Sequence, residues 1–336
     1  MRAKRILVLS HSFGPKSHWI DDFCRRADFE FRKIPYPEQA ASWHQRGQTT
    51  PAGEWLTHLR YMRSAAARRY DGIITCFPQL TLTAASVLRL SLNTRTRLIG
   101  WHFNLGSLTP PWKGRVAGAL LGRVDRFIVH ASDEVSSYAK WLHLPASRFR
   151  FVPFQRGVVE PVGPSPITRP YIVSMGSANR DYATLAKAVA GTGIRTVIIA
   201  KRSFLEALPD SPELIKLHGL TYAECHAILG EAVINIVPIT DSRTASGQVT
   251  FLTAMRMGVP TIATRCVGTV DYFIDGQTGL LVPPGDVAAL RSAIAALWHD
   301  DALRSRLAAA GSRHAEENFS DEAAGRFLAQ ILDEVL

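Results

Sequence analysis

The chain alternates short apolar runs with amphipathic helical stretches, and it does so twice, with a proline-dense break between the two series. In the first half the apolar runs lie at residues 5–9, 72–75, 97–100 and 126–129, with a weaker one at 29–33. The second half restarts at 171–174 and continues at 196–200, 216–218, 233–237 and 261–263. Strands in this rhythm with helices build parallel sheets with crossover helices on their faces. Pro161, Pro164, Pro166 and Pro170 crowd the stretch between. Neither a helix interior nor a central strand tolerates that density. The expected organisation is therefore α/β: a domain over 1–160, a linker over 161–170, a second domain over 171–318 and a terminal helix over 319–336. At 336 residues there is enough chain for two cores. Ser320 is placed to cap the last helix, with Asp321 and Glu322 in its first turn. Phe327, Leu328, Ile331, Leu332 and Val335 then fall on one face.

Charge is uneven. Residues 1–165 hold 24 Lys and Arg against 11 Asp and Glu, whereas residues 166–336 hold 15 against 18. An excess of 13 positive charges in one half points that half at something anionic. A membrane surface, a phosphorylated acceptor and nucleic acid all qualify. Nucleic acid is disfavoured, because no interleaved aromatic and basic stripe or known module is visible. The expected contact is an anionic surface at the inner face of a membrane, reached without a span. Arg60, Arg63, Arg68 and Arg69, with Lys113, Arg115 and Arg123 beside Trp112, are the expected contributors. The plainer alternative is an ordinary crossover helix after Pro110 whose apolar side is core. No apolar run approaches the roughly 18 residues of a spanning helix. The run after Arg5 is too short for a secretion signal and reads as a first buried strand. Cys24, Cys76, Cys225 and Cys266 lie far apart with no Cys-x-x-Cys pair. That argues against a zinc site or disulfide framework and fits a cytoplasmic protein.

The stretch 233–286 carries the chemistry. An apolar strand runs into a polar loop, and a helix opens on Ser246-Gly247-Gln248 and stops at Gly258-Val259-Pro260. A glycine at a helix start aims free N–H groups and the positive dipole end at one point, which suits a phosphate. A hairpin-like segment, Gly276-Gln277-Thr278-Gly279-Leu280-Leu281-Val282, follows. The block resembles the donor-binding half of nucleotide-sugar glycosyltransferases of the two-Rossmann-domain (GT-B) architecture, close to family 4. The resemblance is strong over 166–318, moderate over 97–160 and weak over 1–96. It implies two Rossmann-like doubly wound domains facing a central cleft. It also implies transfer of a hexose from a nucleotide diphosphate sugar to a hydroxyl of a glycan or lipid-linked acceptor. Retention of configuration follows from the same resemblance, while no metal or other cofactor is expected, because His11 and His18 lack the i, i+4 spacing of a helical metal pair and no Asp-x-Asp motif appears. The alternative is a non-catalytic member of the fold that binds a nucleotide sugar or a protein partner.

In that family a Gly-Arg pair and a following lysine neutralise the donor diphosphate. Here Gly176 is followed by Ser177, and Arg180 stands near the lysine position, so Arg180 is the expected main phosphate contact. A surface arginine at a helix start is the plainer alternative. Lys201, after the next strand, is a second phosphate candidate against a solvated face. Leu220 lies in His218-Gly219-Leu220-Thr221, which resembles the loop that holds the nucleobase edge through main-chain groups. The family's paired glutamates would fall on Ala245 and Thr253, so both carboxylates are missing. Thr253 can still bond a ribose oxygen, and Ser246, Gly247 and Gln248 can offer amides to the sugar or diphosphate. Gln248 as an exposed first-turn residue is the alternative. In the first domain Gly14 permits close approach of a sugar or phosphate. His102 occupies the place of a family histidine near the donor sugar's outer hydroxyls, and is the candidate catalytic residue. A core histidine satisfied by backbone is the competing reading. Asp21 and Asp22 lack a second positioned partner for general-base work.

Overall fold

The computed structural model describes residues 2–11, 13, 18–36, 52–66, 70–108, 110–160, 163–240 and 243–336. The chain forms two compact units, Met1–Pro153 with Ala324–Leu336, and Phe154–Ala323. The boundary thus falls ahead of the proline-dense stretch, which belongs to the second unit.

The first unit runs β1 (Lys4–Leu9), β2 (Phe29–Ile34), α1 (Ala52–Ala66), β3 (Gly72–Cys76), α2 (Pro78–Leu90), β4 (Arg97–Trp101), α3 (Pro111–Leu121), β5 (Arg126–Val129), α4 (Ser132–Leu142) and β6 (Phe149–Phe151). Its sheet is parallel in the order β2-β1-β3-β4-β5-β6. Successive side chains of a strand face opposite ways. Leu7 and Leu9 therefore enter one core with Ile73, Leu98 and Phe127, while Ile6 and Val8 enter the other with Ile74, Ile99 and Ile128. Burial on both faces is why these strands read as unbroken apolar runs.

The second unit runs β7 (Ile172–Met175), α5 (Tyr182–Val189), β8 (Thr196–Ile199), α6 (Arg202–Glu206), β9 (Leu214–Leu217), α7 (Tyr222–Gly230), β10 (Ile234–Val237), α8 (Gln248–Arg256), β11 (Thr261–Thr264), β12 (Leu280–Val282), α9 (Val287–His299) and α10 (Asp301–Phe319). The sheet order is β12-β11-β10-β7-β8-β9, all parallel. The chain leaves β7 toward β8 and β9, then returns to place β10 on the other side of β7. Connections therefore diverge between β7 and β10, the position at which open α/β sheets take ligands.

The hairpin expected over 276–282 is not formed. Gly276 turns at φ +73° and Asp275 accepts the Leu281 N–H at 2.9 Å. That turn delivers β12 to the edge of β11, in parallel. The last helix, α11 (Asp321–Val335), follows expectation: the Ser320 hydroxyl accepts the Ala323 N–H at 3.2 Å. Leu328, Ile331 and Leu332 are buried in the first unit's second core. Gly325 admits the carbonyl of Phe23, which a Cβ would approach to 2.6 Å. Arg26 grips both oxygens of Asp333 at 2.9 Å. No helix among the described residues is long and apolar enough to cross a membrane.

Candidate functional site

The loops after β7 and β10 meet at the divergence point of the second sheet. Gly176 leaves β7 at φ +110°, and Arg180 forms an antiparallel bridge with Ile239 beyond β10. Arg180 is buried, not a surface residue. Its guanidinium donates to the carbonyls of Met175 at 3.2 Å and Ala178 at 2.7 Å and to the Thr250 hydroxyl at 3.1 Å. None of the three acceptors is a carboxylate. Burial disfavours the cation and draws Arg180 below its ordinary pKa. A Cβ on Gly176 would sit 2.9 Å from the guanidinium, so the glycine makes the room that Arg180 fills.

Thr250 ties this cation to the start of α8. Gly247 is the N-cap at φ +91°, and a Cβ there would lie 2.8 Å from Val237. The N–H groups of Thr250 and Phe251 return to the Gly247 carbonyl, while those of Gln248 and Val249 reach no backbone carbonyl among the described residues. A helix start with open N–H groups beside a buried cation has the hydrogen-bonding and dipole character that suits an anion. Gln248 is buried rather than an exposed first-turn residue, and Ser246 is half-buried. Gly268 lets the turn after β11 press onto Ser246, since a Cβ would stand 2.6 Å from its amide nitrogen. Ala245 is buried. Thr253 is buried too, and its hydroxyl donates to the Val249 carbonyl at 2.6 Å. Its proton is therefore used within the helix, and only the oxygen remains to accept.

The other candidates are placed less tightly. Lys201 caps α6 with its side chain exposed, and its N–H donates to the Ser177 hydroxyl at 3.0 Å. That bond ties the loops after β7 and β8. Leu220 is half-buried between Gly219, at φ +73°, and Thr221, which caps α7 in a reciprocal pair with Glu224. Gly14 lies outside the described residues, as do Arg68 and Arg69. Asp21 and Asp22 both pair with Lys33, at 3.0 and 3.4 Å.

In the first unit His102 follows β4 with φ +52°, a backbone state that side-chain-bearing residues rarely adopt. Its Nδ1 lies 2.7 Å from Nε2 of His130, the residue after β5. Nδ1 of His130 lies 2.7 Å from the Val152 carbonyl. Burial and the adjacent His130 ring hold His102 well below the usual imidazole pKa, and burial lowers His130 to about 4. Both rings are neutral at pH 7. Phe77, after β3, also has positive φ, at +75°, and its ring centroid is 5.6 Å from that of His102. Sequence reasoning passed over Thr250, Phe77 and His130. The available signal was position: Phe77 and His130 immediately follow strands, as His102 does.

The comparisons bear on the second unit directly. Residues 171–300 match the family described as glycosyl transferases group 1. The chain has the GT-B fold, and its second unit is similar to group 1 glycosyltransferases. It is 28% identical over 185 residues to the lipopolysaccharide core biosynthesis glycosyltransferase LpsE of Rhizobium meliloti, covering 50% of this chain and 51% of LpsE. It is 30% identical over 89 residues to the capsular polysaccharide biosynthesis glycosyltransferase CapM of Staphylococcus aureus, covering 26% of this chain and 23% of CapM. The matched segments thus span only part of these relatives. The structure of Anabaena HepE in complex with UDP and glucose superimposes with a TM-score of 0.73 at 14% identity, covering 99% of this chain and all of HepE. That likeness establishes the shared fold. The two parallel sheets expected from the sequence rhythm belong to it, each with one further edge strand, β6 and β12, that the rhythm did not show.

Proposed function

We propose that this chain transfers a hexose from a nucleotide diphosphate sugar to a hydroxyl of a glycan or lipid-linked acceptor in surface polysaccharide or glycolipid assembly. One observation carries the reading: the buried Arg180, held by neutral acceptors only, adjoins the open N-terminus of α8. A buried cation and two free amides at one point call for a polyanion, and a diphosphate supplies one. These groups stabilise charge developing on the leaving nucleotide, and the reading routes no step through a metal. Gly176, Lys201, Leu220, Ser246, Gly247, Gln248 and Thr253 are assigned to the donor, and His102 to a hydroxyl of the transferred sugar. Retention is proposed from the family resemblance. The relatives named for capsular polysaccharide and lipopolysaccharide core synthesis support the acceptor class.

The same reading includes an anionic membrane face as the acceptor's setting. Helix α3 packs through Gly114 and Gly118, where a Cβ would overlap the carbonyls of Trp141 and Leu142. Its large apolar residues Trp112, Val116 and Leu120 are left exposed beside exposed Lys113 and Arg115. Leu121 and Ala117 on its packed side do join the core, as the plainer alternative has it, so it is the exposed residues that support the membrane reading. Arg123 is withdrawn from the expected contributors, because it is committed to the Asn93 and Thr96 carbonyls and to Asp125.

Release of nucleoside diphosphate from a panel of nucleotide sugars, with and without glycan and lipid-linked acceptors, tests the function. Acceptor-dependent release from at least one donor is expected. Binding of a donor with no release under any condition would favour the non-catalytic reading, which the missing carboxylates at Ala245 and Thr253 also suit.

A further inference from the structure

Two histidines that follow neighbouring strands form a directed chain. His130 is buried, and its Nδ1 is 2.7 Å from the Val152 carbonyl oxygen. A carbonyl only accepts, so this nitrogen carries a proton and donates it. In a neutral ring the other nitrogen, Nε2, is then an acceptor. It lies 2.7 Å from Nδ1 of His102, which must donate to it. A neutral His102 with its proton on Nδ1 keeps a lone pair on Nε2. We infer that His130 is a positioning residue that fixes His102 in the Nδ1–H tautomer, so that His102 offers Nε2 as an acceptor to a sugar hydroxyl that must donate. The inference rests on the proposed assignment of His102 to the transferred sugar.

The surroundings keep the chain neutral and oriented. The His130 backbone N–H donates to Glu134 at 3.1 Å, and the same carboxylate oxygen accepts the Ala131 N–H at 3.0 Å. The other oxygen of Glu134 accepts the Tyr138 hydroxyl at 2.7 Å. That carboxyl is thus occupied away from the imidazoles, and burial raises it to about 7. Burial also lowers both histidines, so neither ring is a cation at neutral pH. Phe77 and Trp101 flank the His102 ring, with centroids 5.6 and 6.5 Å away. A second-strand partner that sets a histidine's tautomer is worth having because free imidazole favours the opposite, Nε2–H form. Without it, the nitrogen facing a hydroxyl would mostly donate.

Long-range nitrogen–proton NMR of histidine-labelled protein reads the tautomer without any ligand. His102 is expected to show a protonated Nδ1 and an unprotonated Nε2. His130→Phe removes the acceptor and is expected to move His102 toward the Nε2–H form. Turnover should fall roughly ten- to a hundredfold, the range seen when a metal-bound histidine loses its orienting partner, with nucleoside diphosphate affinity unchanged. His130→Gln presents an amide N–H to Val152 and an amide oxygen to His102, and is expected to keep the tautomer and most of the turnover. A sugar with fluorine or hydrogen in place of the contacted hydroxyl should lose the same factor in wild type and little in His130→Phe. A wild-type His102 that is Nε2–H or doubly protonated at pH 7 overturns the inference, as does retention of the Nδ1–H form in His130→Phe. Should that variant fail to fold, the wild-type spectrum and His130→Gln still decide. If no donor is turned over at all, the proposed function falls while the spectra continue to judge His130.

Discussion

Replacing Arg180 by alanine separates a binding cation from a structural one, because the two effects on stability oppose each other. In the free protein the guanidinium satisfies the Met175 and Ala178 carbonyls and the Thr250 hydroxyl. Losing the bonds to these two carbonyls, which are only part-buried, costs at most about 1–3 kcal/mol each. The substitution also relieves the burial of a cation without a carboxylate, a penalty of several kcal/mol. The net change in unfolding free energy is expected to stay within about 2 kcal/mol. Binding has no such offset. A charge-assisted hydrogen bond to phosphate is worth about 1.5–3 kcal/mol, so nucleoside diphosphate affinity should fall by roughly ten- to 150-fold. Arg180→Lys keeps the charge but not the fork, and should recover part of the loss. Calorimetric titration and denaturant unfolding of the three proteins give both quantities. Unchanged affinity together with a large loss of stability would refute the reasoning and make Arg180 a structural residue.

His102→Ala should lower turnover while leaving affinity for the bare nucleotide nearly intact, read from steady-state kinetics beside calorimetry; equal loss of both would point to a core histidine. The folded pKa of His130, about 4, lies below the ordinary 6.5, so the neutral ring contributes stability that is fully present above pH 6.5 and is lost as pH falls through 4. The gap corresponds to about 3 kcal/mol, and wild type should lose that much more than His130→Phe between pH 7 and pH 4 in denaturant titrations; parallel pH profiles would contradict the burial argument. Sedimentation with anionic vesicles should retain the protein and lose it at high salt, with neutral vesicles inert, since each basic residue near such a surface adds about 1 kcal/mol. Trp112→Ala should weaken that retention, and indifference to both vesicle types would sink the membrane setting.

The fold was legible because the inner strands of both sheets are buried on two faces, and such strands announce themselves as apolar runs. The two strands that escaped are edge elements of three residues each. Phe149–Phe151 has a half-buried arginine at its centre, and pairing with β5 is what makes it a strand. Leu280–Val282 follows two glycines that look like a hairpin turn, and its parallel partner is a tertiary choice. The helix start at Gly247 was readable from its glycine. The burial of Arg180 was not, because it depends on a Cβ missing at Gly176 four residues earlier in a tight loop. Thr253 looked available to a ribose until the helix placed the Val249 carbonyl 2.6 Å from its hydroxyl. His130 gained its meaning only when the sheet order set β5 beside β4.

The central claim is that a donor diphosphate sits between Arg180 and the first turn of α8. A crystal structure of the whole chain with a nucleoside diphosphate bound tests it most directly. Phosphate oxygens are expected within hydrogen-bond distance of the Arg180 guanidinium and of the Gln248 and Val249 N–H groups. A well-ordered nucleotide whose phosphates lie elsewhere, with Arg180 still closed on Met175, Ala178 and Thr250, would contradict it.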